Sequence, residues 1–357
     1  MRYVLKRLTL GVLLIVLAST ALLLSDFGRR TTKAHSIPHV GLLQHASTML
    51  LDEGTRGAID ELAERGFVDG KTIVIDQFNA HGDIAVGNSI AAEMVQARYD
   101  LLLTMSTLSL QAVANANRGH KTVQVFGLVA DPVVAGVGIS RADPLRHPDN
   151  LVGLGSFLPV ENAFAIAREM LPELKRVGVA WNPAEANSRA FVEKAREACQ
   201  RMDIELLEAN VENSNSVLES EESLVARGAE ALWIGGDVTV SVAAESVVAV
   251  GRKARIPVFS ITPGKPDRGT LFDYGADFYQ IGRQTGGLAA EILRGADATK
   301  IPVRNSVPIS FVVNTTAAMG LRQRWQISKE ILERANTVVD ETGIHNRALR
   351  SEPTSAK

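Results

Sequence analysis

Hydroxyl, amide and carboxyl side chains follow directly after the apolar segments of this 357-residue chain. Amides and hydroxyls both donate and accept hydrogen bonds, and a carboxylate can hold an amine. The candidate ligand-binding residues in such positions are Gln44, Ser47, Ser106, Thr107, Asp131, Asn187, Asp237, Thr239, Thr262 and Asp273. Because the same side-chain types also cap helices, plain capping is the alternative explanation for each of them.

Motifs for covalent or cofactor chemistry are missing from the sequence. It contains neither a G-x-x-x-x-G-K-[ST] phosphate loop nor a G-x-S-x-G nucleophile elbow. Cys199 is the only cysteine, which excludes an internal disulfide, and it falls on the apolar face of a predicted helix. His35 and His39 are four residues apart beside a proline, which is weak evidence for a metal site. We therefore expect no catalytic residues, no metal and no cofactor.

The elements that must position the polar residues alternate between strands and helices. Largely apolar runs such as Val40–Leu43 and Arg176–Trp181 predict buried strands, and segments such as 189–202 carry apolar residues at helical spacing. This alternation predicts parallel sheets covered by helices on both faces. About ten strands in two series predict two lobes, and ligands of such sheets bind beyond the carboxyl ends of the strands.

The first 34 residues differ in composition from the rest. Arg2, Lys6 and Arg7 precede an uncharged apolar run, 8–25, whose length lies between that of a secretory signal core and that of a spanning helix. The segment therefore predicts export, either as a cleaved signal peptide or as an uncleaved anchor that tethers the chain to the inner membrane. The remaining chain has 32 basic and 39 acidic residues, which argues against a nucleic-acid partner.

Several stretches then match a known family. They read GLLQ at 41–44, ELAERGFVDGKTIVID at 61–76, ADPVVAGV at 130–137, LPELKRVGVAWNPAEANS at 171–188, ARIPVFS at 254–260 and YGADFYQIGRQTGGLAAEILRG at 274–295. With these motifs the chain resembles the substrate-binding proteins of bacterial ABC importers, in the family that includes tryptophan- and tyrosine-type binding proteins. The resemblance covers roughly residues 38–338.

The resemblance implies an α/β fold of the type I periplasmic-binding-protein kind. Two Rossmann-like lobes with parallel sheets would be joined by three crossover segments. The implied first lobe is 38–152 plus 273–300, the second is 153–272 plus 301–338, and 341–357 is a flexible tail. The helix 278–294 would return to the first lobe.

The resemblance also implies a function without catalysis. The chain would be the periplasmic or extracytoplasmic solute-binding component of an ABC importer, with permease and ATPase subunits as partners. A sensory subunit of the same fold, which signals to a membrane partner, is the alternative, and an exported enzyme is a more distant one.

Strand-end position and the resemblance together suggest a ligand pose. An amino acid or a similar zwitterion would place its carboxylate at the helix start around Ser106 and Thr107, where the helix dipole favours an anion. Its amine would meet Asp237, with Gln44, Asn187 and Thr239 as further contacts. The chain departs from the family at several strand ends, for example at 47–49, and these departures weigh against an aromatic ligand.

Overall fold

The computed structural model describes residues 37–347. The strands, in chain order, are β1 (His39–Gln44), β2 (Val74–Asn79), β3 (Leu101–Met105), β4 (Val123–Val129), β5 (Leu151–Gly155), β6 (Arg176–Trp181), β7 (Glu205–Asn210), β8 (Ala231–Ile234), β9 (Val258–Ser260), β10 (Phe272–Ala276), β11 (Arg304–Asn305), β12 (Ile309–Asn314), β13 (Thr337–Asp340) and β14 (Gly343–Asn346). The helices are α1 (Met49–Glu64), α2 (Ile84–Gln96), α3 (Thr107–Ala116), α4 (Val160–Met170), α5 (Ala186–Arg201), α6 (Val217–Ala226), α7 (Val238–Val242), α8 (Ala244–Ala254), α9 (Phe278–Leu293) and α10 (Lys329–Arg334).

Two sheets organise the chain into two lobes. The sheet of the first lobe has the strand order β11-β5-β4-β3-β1-β2, and all its neighbouring strands are parallel. Its central strands are buried along most of their length because helices cover both faces; all five residues of β3 are buried. The predicted α/β class with two parallel-dominated sheets is confirmed.

The sheet of the second lobe has the order β14-β13-β12-β10-β9-β8-β6-β7. Its half from β10 to β7 is parallel, as predicted, but β10 pairs antiparallel with β12 and β13 pairs antiparallel with β14. The predicted parallel pairing therefore holds for most of this sheet and fails at these two pairs.

The lobe boundaries differ from the predicted ones by a few residues at each crossing. Strand β5 stays in the first sheet through Gly155, and β11 returns to that sheet at Arg304–Asn305. Strand β10 belongs to the second sheet because it pairs with β9 and β12, so the chain crosses after Ala276 and not before residue 273. The segment Gly343–Asn346, expected in a flexible tail, forms an edge strand.

Helix α9 returns to the first lobe and packs on α1 at very short range. A Cβ atom on Gly282 would lie 1.9 Å from the carbonyl oxygen of Gly54, and one on Gly286 would lie 2.3 Å from that of Ala58. Glycine is therefore needed where the two backbones touch, which offsets its cost of about 1 kcal/mol in a helix.

No helix within residues 37–347 is long and apolar enough to cross a membrane. The predicted signal peptide or anchor, residues 1–34, lies outside the described residues, as does the end of the predicted tail.

Candidate functional site

A small cavity lies between the two lobes, at the carboxyl ends of several strands; we call it the central cavity. It is lined by Thr48, Leu50, Leu51, Ser106, Thr107, Leu108, Leu128, Ala130, Ser156, Leu158, Asn187, Phe191, Gly236, Asp237, Val238, Ser241, Thr262 and Phe278. The space open to the centres of water molecules is about 50 Å³. Asp237 is the one titratable side chain in this lining, and none of the described lining residues is basic.

The first-lobe wall contains the start of helix α3. Ser106 is its N-cap, and its hydroxyl oxygen accepts a hydrogen bond from the Ser109 N–H at 3.0 Å. The Thr107 hydroxyl oxygen accepts from the Ala130 N–H at 3.4 Å. The first N–H groups of a helix have no acceptor within the helix, so this wall presents the positive end of the α3 dipole. Such a wall is suited to an anionic group.

The second-lobe wall contains the buried carboxyl group of Asp237, at the N-terminus of α7. Its Oδ1 accepts from the Val240 N–H at 2.6 Å, and its Oδ2 accepts from the Ser188 hydroxyl at 2.9 Å and the Asn182 N–H at 3.2 Å. Burial, and then the negative charge of Glu185, raise the pKa of Asp237 to about 7. A cationic group beside it would favour the ionised form.

Glu185 stabilises the second-lobe wall through hydrogen bonds to the start of α7 and to Asn187. Its carboxylate accepts from the Val238 N–H at 2.8 Å and from the Thr239 N–H at 3.0 Å, so it caps the start of α7. It also accepts from the Asn187 side-chain amide at 3.3 Å. Glu185 is only 2% exposed. It therefore fixes both α7 and the orientation of Asn187.

Asn187 carries an unused hydrogen-bond acceptor. Its amide nitrogen donates to Glu185 and to the Gly236 carbonyl oxygen at 3.4 Å, whereas its buried Oδ1 has no hydrogen-bond partner among residues 37–347. The opposite orientation of the amide would turn its oxygen towards the carboxylate of Glu185. A buried unpaired acceptor is costly, and because Asn187 lines the central cavity, a donor on a ligand could satisfy it.

Five of the ten candidate residues meet at the central cavity: Ser106, Thr107, Asn187, Asp237 and Thr262. The other five are committed elsewhere. The Gln44 amide donates to Ala46 and Asp52 and accepts from the Thr55 hydroxyl, so it ties β1 to α1. Ser47 accepts from the Asn79 amide at 2.9 Å and lies in an outer groove that also contains Thr48 and Ser241.

The three remaining candidates each bind another side chain and lie outside the lining of the central cavity. Asp131 pairs with Arg141 at 2.7 Å and lines a different groove. The Thr239 hydroxyl donates to Glu185 at 2.6 Å, outside the cavity lining. Asp273 is fully buried in β10 and pairs with Arg268 at 2.8 Å.

Several cavity residues were not among the candidates. Thr48 and Ser241 follow β1 and β8 and fit the strand-end pattern, although they are not among the ten candidates. Nothing in the sequence pattern points to the apolar part of the lining, formed by residues such as Leu128, Phe191 and Phe278.

Comparison with known proteins agrees with this fold. Residues 39–339 match a family model described as ABC transporter substrate binding protein. The chain is 28% identical over 285 residues to a tyrosine-binding protein from Clostridioides difficile, covering 80% of this chain and 81% of that one.

Two solved structures are also similar. A conserved domain protein from Vibrio cholerae is 29% identical, with a TM-score of 0.80 over 85% of this chain and 100% of its own. An ABC domain from Streptococcus pneumoniae in complex with L-Trp is 23% identical, with a TM-score of 0.78 and the same coverages.

Proposed function

The chain belongs to the family of ABC transporter substrate-binding proteins, and from that premise we propose that it captures a small solute between its two lobes and delivers it for import. Substrate-binding proteins of ABC transporters act outside the cytoplasm, and the family is one of binding proteins rather than enzymes. No bond is made or broken in the proposed role, in line with a cavity whose one titratable lining residue is a hydrogen-bonded carboxyl group.

We propose that the solute is an amino acid or a similar zwitterion. The observation that carries this proposal is the unpaired Oδ1 of Asn187, which lies in the same cavity wall as Asp237. An ammonium group could donate to both of them, and the carboxyl group of Asp237 would supply the opposite charge. The start of α3 on the other wall could accept the carboxylate without a basic side chain.

The proposed mechanism is ligand-induced stabilisation of a closed arrangement. The walls come from different lobes, so a ligand that contacts both Thr107 and Asp237 binds the closed form more tightly than an open one. A ligand shifts such an equilibrium only by its difference in affinity for the two forms. The three crossings, after Gly155, Ala276 and Asn305, are where a hinge motion would be absorbed.

The proposed partners are an ABC permease and ATPase. The proposed location is the periplasmic or extracytoplasmic side of the membrane, with residues 1–34 serving as export signal or tether. A phosphatase reporter fused after residue 340 is expected to be active. An inactive fusion with intact protein would contradict the export proposal.

Isothermal titration calorimetry tests the binding proposal. After a thermal-shift screen of the standard amino acids, the best ligand is titrated into the wild type, Asn187→Ala and Asp237→Asn. Loss of a charge-assisted hydrogen bond costs about 1.5–3 kcal/mol, so each variant is expected to bind at least tenfold more weakly. Asn215→Ala, at an exposed position, is the matched control. Wild-type affinity in both cavity variants would contradict the pose.

A further inference from the structure

The central cavity offers little room for a ligand. Its space of about 50 Å³ for the centres of water molecules accommodates about three to five waters. The ammonium group, α-carbon and carboxylate of an amino acid take up most of that room. An indole or phenol ring would need more room than then remains between the apolar side chains of the lining.

Leu128 occupies part of the apolar wall through an unusual backbone conformation. Its φ is +57°, in the left-handed region that leucine seldom adopts. The pairing between β4 and β5 also shifts register between Phe126 and Val129. Irregularities of this kind re-aim a side chain, and they are concentrated next to functional sites. Here the redirected side chain is part of the cavity lining.

Close packing around Leu128 keeps its side chain in the cavity wall. A Cβ atom on Gly54 would lie 2.4 Å from the Leu128 Cδ1 atom, so this side chain packs directly on the backbone of α1. A Cβ atom on Gly127 would lie 2.1 Å from the Thr285 hydroxyl oxygen of α9. The end of β4 is therefore held between two helices, and Leu128 cannot move aside for a larger ligand.

The opposite wall is equally fixed. Phe191 is 2% exposed, and its ring packs on that of Phe157 with a centroid distance of 5.2 Å. Leu158 is 3% exposed and belongs to the same hydrophobic core. Closely packed interiors yield little to extra volume.

Resting on the proposed function, we infer that the ligand is an amino acid with a short side chain, and that Leu128, aimed into the central cavity by the irregularity in β4, determines this specificity. The residue acts by occupying the space that a ring would need. The ligand class is therefore narrower than, and different from, that of the tyrosine-binding relative.

Calorimetry with L-alanine, L-serine, L-tyrosine and L-tryptophan as probes tests this inference. The wild type is expected to bind alanine or serine at least tenfold more tightly than either aromatic amino acid. Leu128→Ala and Leu128→Gly are both expected to reduce that preference at least tenfold. Glycine also suits the left-handed backbone, so Leu128→Gly remains informative if the alanine variant fails to fold. Leu110→Ala, a buried leucine outside the cavity lining, is expected to keep the wild-type preference.

The outcomes separate this inference from the proposed function. Tighter wild-type binding of tyrosine or tryptophan would overturn the short-side-chain inference and leave solute binding intact. An unchanged preference in both Leu128 variants would overturn the role of Leu128. If no amino acid binds the wild type, the proposed function fails, and the inference fails with it.

Discussion

Glu221 is a carboxyl group buried in the second lobe. No residue in the described part of the chain forms an ion pair with it, and its ionisation is expected to destabilise the fold. It lies on α6 and is fully buried, and neither carboxyl oxygen makes a hydrogen bond of normal geometry with any residue between 37 and 347. Burial raises its pKa from 4.5 to about 8; the backbone of Ala180 lowers it, and the charge of Asp237 raises it further. Replacing the residue with glutamine removes the ionisation and keeps the shape.

The sign and the size of the effect follow from the pKa. Between pH 4.5 and 8 the folded state holds a proton that the unfolded state has lost, so the free energy of unfolding falls as the pH rises through this range. One proton is worth about 1.4 kcal/mol per pH unit, which gives at most about 5 kcal/mol. The Glu221→Gln variant escapes this loss, so its stability relative to the wild type rises from pH 5 to pH 9.

Urea unfolding of the wild type and Glu221→Gln at pH 5, 7 and 9 measures this difference. Any pH-independent cost of placing an amide in the same site appears equally at every pH, so the change between pH 5 and pH 9 isolates the ionisation. Glu219→Gln, at an exposed position on the same helix, is the matched control. A stability difference for Glu221→Gln that stays constant to within about 0.5 kcal/mol from pH 5 to pH 9 would refute the reasoning.

Three further predictions concern packing and charge. Gly282→Ala forces α9 away from the backbone of α1 and should lower the free energy of unfolding by about 1–3 kcal/mol. Gly87→Ala is the control, because its Cβ makes an ordinary contact at 3.4 Å. It should leave the free energy of unfolding, measured in the same thermal denaturation, unchanged. Arg268→Met leaves the buried Asp273 carboxylate without its cation, with a loss of about 3–5 kcal/mol at pH 8. Because burial raises the pKa of Asp273, the loss in stability caused by Arg268→Met should shrink at pH 5. The double variant with Asp273→Asn should lose the pH dependence. An equal loss for Arg268→Met at both pH values would contradict this prediction. Since the pKa of Asp237 is about 7 in the free protein, affinity for an amine should rise about tenfold from pH 6 to pH 8 in calorimetry, and Asp237→Asn should flatten the profile.

The strand and helix alternation could be predicted from the sequence because buried parallel strands are continuous apolar runs. The run Arg176–Trp181 forms β6 with the predicted bounds. The last strands were missed for the opposite reason. Strands β13 and β14 are short and partly polar, and they exist because they pair with each other and with β12. Such edge strands depend on their neighbours more than on their own composition.

Five of the ten residues chosen by the strand-end rule line the central cavity, and the other five do not. Ser106, Asn187 and Asp237 come to one cavity because they follow the carboxyl ends of parallel strands in the two sheets. It could not reveal that Gln44 already bonds to Thr55, or that Asp273 already pairs through Oδ1 with Arg268.

The limit that we infer on the size of the ligand's side chain could not be predicted from the sequence either. It depends on the positive φ of Leu128 and on a register shift in β4, neither of which has a signature in the residue types. Leu128 packs directly on Gly54. The need for a glycine at this position becomes visible only when the position of α1 is known.

A crystal structure of the protein with its best-binding amino acid tests the central claim most directly. The account predicts ligand density in the central cavity, with the ammonium nitrogen about 3 Å from the Asn187 Oδ1 atom and from the Asp237 carboxylate, and with the carboxylate at the start of α3. Ligand bound in an outer groove, or bound centrally with Asn187 Oδ1 still unpaired, would contradict it.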